Sequence, residues 1–165
     1  MSTDSLNRRI LVVDDNPSIH DDFRSILQSE TGLEAFELAR SALFGGSIPV
    51  PSHEPFEVDY VDQGQAALTA MEAAWSEDRP YAVAFVDMRM PPGWDGLETI
   101  EHLWKADARL QVVICTAYSD QPWDEIRERI GRTDKLLILQ KPFNGIEVLQ
   151  LATALCWKWD LANKA

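Results

Sequence analysis

The 165-residue chain is poor in several things, and each shortage excludes a class of protein. It has two cysteines, Cys115 and Cys156. They give neither a disulfide framework nor metal-ligand spacing, so a reducing compartment is the expected setting. The first nine residues, Met1 to Arg9, are polar and lack the apolar stretch of a secretory leader. No apolar run approaches the length of a membrane span. Basic residues are also scarce. Lys and Arg number 15 against 27 Asp and Glu, a formal charge of −12 that repels phosphate backbones and argues against nucleic-acid partners. These shortages together predict a cytoplasmic protein with protein partners and no membrane contact. A hydrophobic fraction of 45% is enough for an ordinary globular core.

What is present is an alternation of short apolar runs and amphipathic segments, the pattern of repeated βα units and a parallel sheet. Strands are predicted at Arg9–Val13, Phe56–Val61, Tyr81–Val86, Leu110–Cys115 and Leu136–Leu139. The second alternates Phe56, Val58 and Tyr60 with Glu57 and Asp59, which reads as a half-buried edge strand. Helices are predicted from Pro17, with Asp15 or Asn16 as cap, and over Gln65–Ser76, Leu97–Ala106, Trp123–Ile130 and Ile146–Trp159. The last carries Leu149, Ala152, Cys156 and Trp159 on one inward stripe. Five right-handed units give a doubly wound α/β sheet in the order 2-1-3-4-5.

Residues 31–55 exceed an ordinary connection of about 2–6 residues. They read as an insertion between helix one and strand two. Leu33 to Phe44 is amphipathic, and Gly45, Gly46 and three prolines then break it. A surface loop without a role and a partner-docking element are both open readings.

Polar residues cap the apolar runs. Asp14 and Asp15 follow strand one, Asp87 strand three, Thr116 strand four and Lys141 strand five. In a doubly wound sheet these strand ends meet at one edge. Two carboxylates about 4 Å apart repel by roughly 4 kcal/mol at an effective dielectric near 20. Three need a proton or a cation among them, and hard oxygen ligands favour Mg²⁺ or Mn²⁺. A divalent ion beside a lysine suits phosphoryl transfer, with Asp87 as nucleophile, Thr116 as a hydroxyl donor and the small Ala117 exposing a backbone amide. Each residue alone has a plainer reading, as a cap, a turn or a strand end. Their joint order is what carries the chemistry.

Leu11-Val12-Val13-Asp14-Asp15-Asn16, Val86-Asp87-Met88-Arg89-Met90-Pro91, Cys115-Thr116-Ala117 and Lys141-Pro142-Phe143 together resemble the receiver domain of two-component response regulators. The resemblance spans roughly Arg9 to Leu155 apart from the insertion. It places a receiver domain over residues 7–160, with 161–165 as a tail or the start of a linker. It implies that a histidine kinase or phosphotransfer protein phosphorylates Asp87, that Thr116 and Lys141 contact the phosphoryl group, and that the amides of Met88 and Ala117 do so too. It implies Mg²⁺ held by Asp15, Asp87 and the Arg89 carbonyl, with Asp14 a metal residue acting mainly through water, and a cis Lys141–Pro142 bond. A downstream effector or fused output domain and a homodimer through helix four, strand five and helix five are the implied partners.

Two departures stand out. Ile138 occupies the position where the family usually carries an aromatic switch. The loop after Asp87 is one residue longer, with Pro91-Pro92-Gly93 as a stiff turn that brings Trp94 towards the pocket. Arg89 and Tyr118 are expected to restrict water at the phosphoryl group. Two other readings remain open. One is a pseudo-receiver that binds partners without phosphate. The other is an enzyme turning over an aspartyl-phosphate, which usually adds a second acid where this chain has Arg89.

Overall fold

In this computed structural model the described residues are 6–28, 56–117, 123–131 and 133–163. The stretch 31–55 and Tyr118 therefore lie outside the described residues. The strands are β1 (Arg9–Val13), β2 (Glu57–Val61), β3 (Val83–Asp87), β4 (Gln111–Ala117) and β5 (Leu136–Lys141). The helices are α1 (Pro17–Leu27), α2 (Gly64–Ser76), α3 (Gly96–Ala106), α4 (Trp123–Arg129) and α5 (Gly145–Asn163). All strand pairs are parallel and the order is β2-β1-β3-β4-β5, as the alternating pattern predicts.

The sheet is apolar on both faces, so each face carries its own core. On one side Phe23 of α1 meets Phe85 and Phe143 at ring distances of 5.0 and 5.2 Å, over Val148, Ala152 and Trp159 of α5. On the other, Met71, Leu97, Ile100 and Leu103 cover Val86 and Ile114. The α5 stripe of Leu149, Ala152, Cys156 and Trp159 is buried as its spacing predicts. α5 also continues through Leu161 to Asn163, into the stretch read from sequence as a tail.

The strands run further than their apolar residues. β3 includes Asp87, β4 includes Thr116 and Ala117, and β5 includes Gln140 and Lys141. Ladder hydrogen bonds belong to the backbone, so polar side chains at a strand's end do not stop it.

Asn16 settles the cap of α1, its side chain accepting from the Ser18 amide at 2.9 Å. Asp15 is thereby left to the sheet edge. Asp95 caps α3 by accepting from the Glu98 amide at 2.8 Å.

Below the sheet, Arg109 joins three elements. Its Nε and Nη2 donate to the buried Asp107 carboxylate at 2.9 and 3.0 Å. Its guanidinium also lies 5.2 Å from the Trp75 ring and 5.4 Å from that of Trp159. Arg109→Ala leaves Asp107 without that partner and should cost about 2 kcal/mol in thermal or urea unfolding. Arg109→Lys should restore less than half of the loss, because an ammonium lacks the planar fork. Full restoration by lysine would show that charge alone matters there.

Candidate functional site

The carboxyl ends of β1, β3, β4 and β5 bring the polar residues together. Register explains how. Val13 of β1 pairs with Val86, so Asp14 and Asp87 come next on neighbouring strands. Asp87 pairs with Cys115, Thr116 follows it on β4, and Ala117 pairs with Lys141. Oxygen atoms of Asp14, Asp15 and Asp87 all lie within 4.8 Å of one another. Asp14 is buried, Asp87 half-buried and Asp15 exposed, so the cluster opens to solvent on one side.

Lys141 reaches into this cluster. Its Nζ donates to Asp14 Oδ2 and Asp87 Oδ1, both at 3.1 Å. Asp14 is oriented further by the Asn16 amide, which donates to its Oδ1 at 2.9 Å. Its own amide donates to the Val61 carbonyl at 3.1 Å, fixing the turn that leaves β1.

One ammonium does not balance the acids. Burial, and then the charge of Asp14, push Asp87 up from 3.8 to about 6. Lys141 and the Arg89 backbone amide pull in the opposite direction and lose. Burial also works against the Lys141 charge, but the carboxylates of Asp87 and Asp14 outweigh it and hold the ammonium above its usual range. The pocket is thus electron-rich around one acid that is hard to ionise, an arrangement that a divalent cation would relieve.

The loop after β3 corrects one expectation. Met88 donates its amide to the Cys115 carbonyl at 2.9 Å, because the β3–β4 ladder continues one residue beyond Asp87. The amide that faces the Asp87 carboxylate belongs to Arg89. Met88 itself is buried beneath the site and Arg89 is exposed beside it. Trp94 stacks on His102 at 3.9 Å, with 8° between the rings, so it is directed along the α2–α3 seam. Gly93 lies against the side-chain ends of Gln63 and Gln65, and Gly64 fits against Thr99 and Trp94 too closely to admit a Cβ without a shift. The longer loop is therefore pinned to the start of α2, a packing that spacing alone did not disclose.

Thr116 is buried and Ala117 is the final residue of β4. The Lys141–Pro142 bond is cis, as is Pro91–Pro92. Ile138 pairs with Ile114 but is 37% exposed, an edge position rather than a core one.

The family model described as the response regulator receiver domain matches residues 50–153. The chain belongs to that family. Solved structures carry the same fold. A receiver domain protein (CheY-like) from Methanospirillum hungatei JF-1 is 21% identical with a TM-score of 0.66, over 96% of this chain and 100% of the other. An adenylate cyclase from Rhodopirellula baltica is 23% identical at a TM-score of 0.69, over 96% and 94% of the two chains. The signal receiver domain of an HD domain-containing protein from Pseudomonas fluorescens Pf-5 is 13% identical at 0.69, over 99% and 97%. At these identities the likeness is one of fold. No curated protein matches the chain in sequence. The matched stretch begins after β1, so Asp14 and Asp15 join this receiver's pocket through geometry alone. No described helix is long and apolar enough to cross a membrane.

Proposed function

We propose that this receiver accepts a phosphoryl group on Asp87 from a partner histidine kinase or phosphotransfer protein and uses it to switch protein contacts. The observation that carries the reading is Lys141 held at 3.1 Å from both Asp14 and Asp87, within a three-carboxylate cluster. An Asp87 oxygen attacks the donor's phosphorus, the bond to the donor breaks, and the donor leaves with its electron pair. Lys141 and the Thr116 hydroxyl then meet the oxygens of the incoming group, with the Arg89 and Ala117 amides beside them.

Asp14, Asp15 and Asp87, with the Arg89 carbonyl, would hold Mg²⁺ or Mn²⁺. The three hard carboxylate oxygens and the uncompensated charge fit such an ion. When bound, the ion supplies positive charge to the transferring oxygens.

The receiver turns over no substrate in this reading. An exposed Arg89 stands two residues after Asp87, where an aspartyl-phosphate enzyme would place a second acid. The effector is a separate protein or a fused output domain, and the setting is cytoplasmic.

Incubation with Mg²⁺ and acetyl phosphate, followed by intact mass measurement, tests the proposal. One labile phosphoryl adduct per chain is expected. No adduct would favour a phosphate-independent interaction module, and rapid catalytic consumption of donor, far faster than the adduct itself decays, would favour an enzyme.

Protons and the ion should compete. Asp87 near 6 must lose its proton to act as a ligand, so Mg²⁺ affinity should fall about tenfold per pH unit below that value. Calorimetric titrations above and below pH 6 measure this. Affinity unchanged until pH falls below 3.8, the ordinary value for the group, would contradict it.

A further inference from the structure

The loop from Met88 to Asp95 carries the peptide that faces Asp87. Met88 donates its amide to the Cys115 carbonyl at 2.9 Å, and its carbonyl accepts from the Gly96 amide at 2.8 Å. The Met90 carbonyl accepts from the Gly93 amide at 3.1 Å. Met88 and Met90 are buried on either side of the exposed Arg89. The Arg89 amide is turned to the Asp87 carboxylate and so contributes nothing to the sheet ladder. A loop peptide of this kind keeps its direction only as well as the rest of the loop holds still.

Trp94 is the bulkiest side chain of that loop, yet it belongs to neither apolar core. Its half-buried ring lies flat on His102 of α3 at 3.9 Å. A Cβ on Gly64 would come 3.0 Å from Trp94 Cε3, so the indole also meets the first turn of α2. Next to it, Thr99 Oγ1 donates to the Asp95 carbonyl at 2.8 Å and lies against the same Gly64. The backbone hydrogen bonds join the loop to β4 and to the start of α3. Trp94 adds α2 as a further support. Gly93 lies against Gln63 and Gln65, so the extra length of the loop runs along α2 as well.

We infer that Trp94 is a positioning residue: wedged between Gly64 and His102, it braces the loop so that the Arg89 peptide stays aimed at Asp87. The use of that brace rests on the phosphoryl-accepting role proposed for Asp87. The Arg89 carbonyl would reach the divalent ion and its amide the transferring oxygens, so tilting one peptide disturbs both. A misplacement of about 1 Å in a reacting site can cost up to about a hundredfold in rate. The indole is turned to the α2–α3 seam, so it acts through the backbone and not on the phosphoryl group. Stacking requires flat rings on both sides, and that makes the brace testable from His102 as well as from Trp94.

Amide hydrogen exchange, followed by NMR on the full chain without metal, reads the brace directly. Trp94→Ala should speed exchange at Arg89 about tenfold, by freeing a local opening. His102→Ala should do the same, which covers the case in which Trp94→Ala does not fold. Trp94→Phe and His102→Phe keep a stacked pair and should stay within about twofold of the native chain. Arg109→Ala, which loosens the opposite end of the sheet, should leave Arg89 exchange near native. With Mg²⁺ and acetyl phosphate added, both alanine variants of the stack should lose about tenfold in Mg²⁺ affinity and in the saturating rate of adduct formation. The acetyl phosphate concentration giving half that rate should change little. Native Arg89 exchange in both alanine variants would overturn the inference. So would equal acceleration by Arg109→Ala, or faster exchange with native Mg²⁺ affinity and labelling rate. Should the native chain take no phosphoryl group, the reading of Asp87 fails, and Arg89 exchange still decides whether Trp94 braces the loop.

Discussion

Asp87→Asn should carry no phosphoryl adduct and should also be more stable than the native chain when no metal is present. The first effect is total because an amide oxygen cannot supply the nucleophilic carboxylate. The second follows from linkage. Asp87 in the folded protein sits near 6 against an ordinary 3.8, so the folded state holds its proton more tightly. A raised carboxyl contributes its full share to stability below 3.8 and loses it as pH rises through about 6. At neutral pH the native chain holds a strained carboxylate there, whereas asparagine does not. The gain should be about 1 kcal/mol once solvent screening in the open pocket is allowed for. Thermal melts at neutral pH should place the variant higher, and the gap should close in acid. Added Mg²⁺ should narrow it from the other direction by stabilising the native chain alone. A variant less stable than the native chain at neutral pH would show that Lys141 compensates Asp87 fully.

Gly96→Ala should be the most damaging small substitution near the site. The added Cβ would lie 2.6 Å from the Asp87 carbonyl oxygen and 2.8 Å from the Met88 Cα. Both are backbone atoms of the strand end that carries the proposed phosphoacceptor, so neither can swing aside. Overpacking of this kind costs about 1–3 kcal/mol. Its relief requires the β3–α3 loop to move, so the rate of adduct formation should fall with stability. Gly145→Ala is the matched control. Gly145 also begins a helix, but its Cβ would meet only Ile26 side-chain carbons at 3.4 and 3.7 Å. That change should be near neutral in urea unfolding and in labelling. Equal losses for the two alanines would point to helix starts in general and away from the close approach to Asp87.

These contrasts indicate what a sequence discloses and what it withholds. The β-strands announce themselves as apolar runs because a sheet covered on both faces needs apolar residues on both. The pocket acids are legible because each follows such a run. Strand ends are less legible. Asp87, Thr116 and Lys141 read as residues beyond strands and prove to be inside them, since neighbouring backbones extend the ladder regardless of polarity. Peptide orientation is not legible at all. Nothing in Met88-Arg89 says that the first amide is spent on Cys115 while the second faces Asp87. β5 is an apolar run like its neighbours, and its exposure follows from its place at the sheet edge. The Arg109 clamp and the Trp94–His102 stack arise from elements distant in the fold, which no local pattern encodes.

Lys141 and Asp14 are separated by 127 positions along the chain. Contacts of such separation pay their loop-closure entropy before they return any stabilisation, and they form late in folding. Synthesis proceeds from the N-terminus, so the two acids that follow β1 leave the ribosome long before the lysine that pairs with Asp14 and Asp87. Throughout that interval the nascent chain carries those acids without their built-in counter-charge. Under the proposed function, competence to be phosphorylated doubles as a certificate of completed folding, because a truncated or half-folded chain lacks the cation that finishes the pocket.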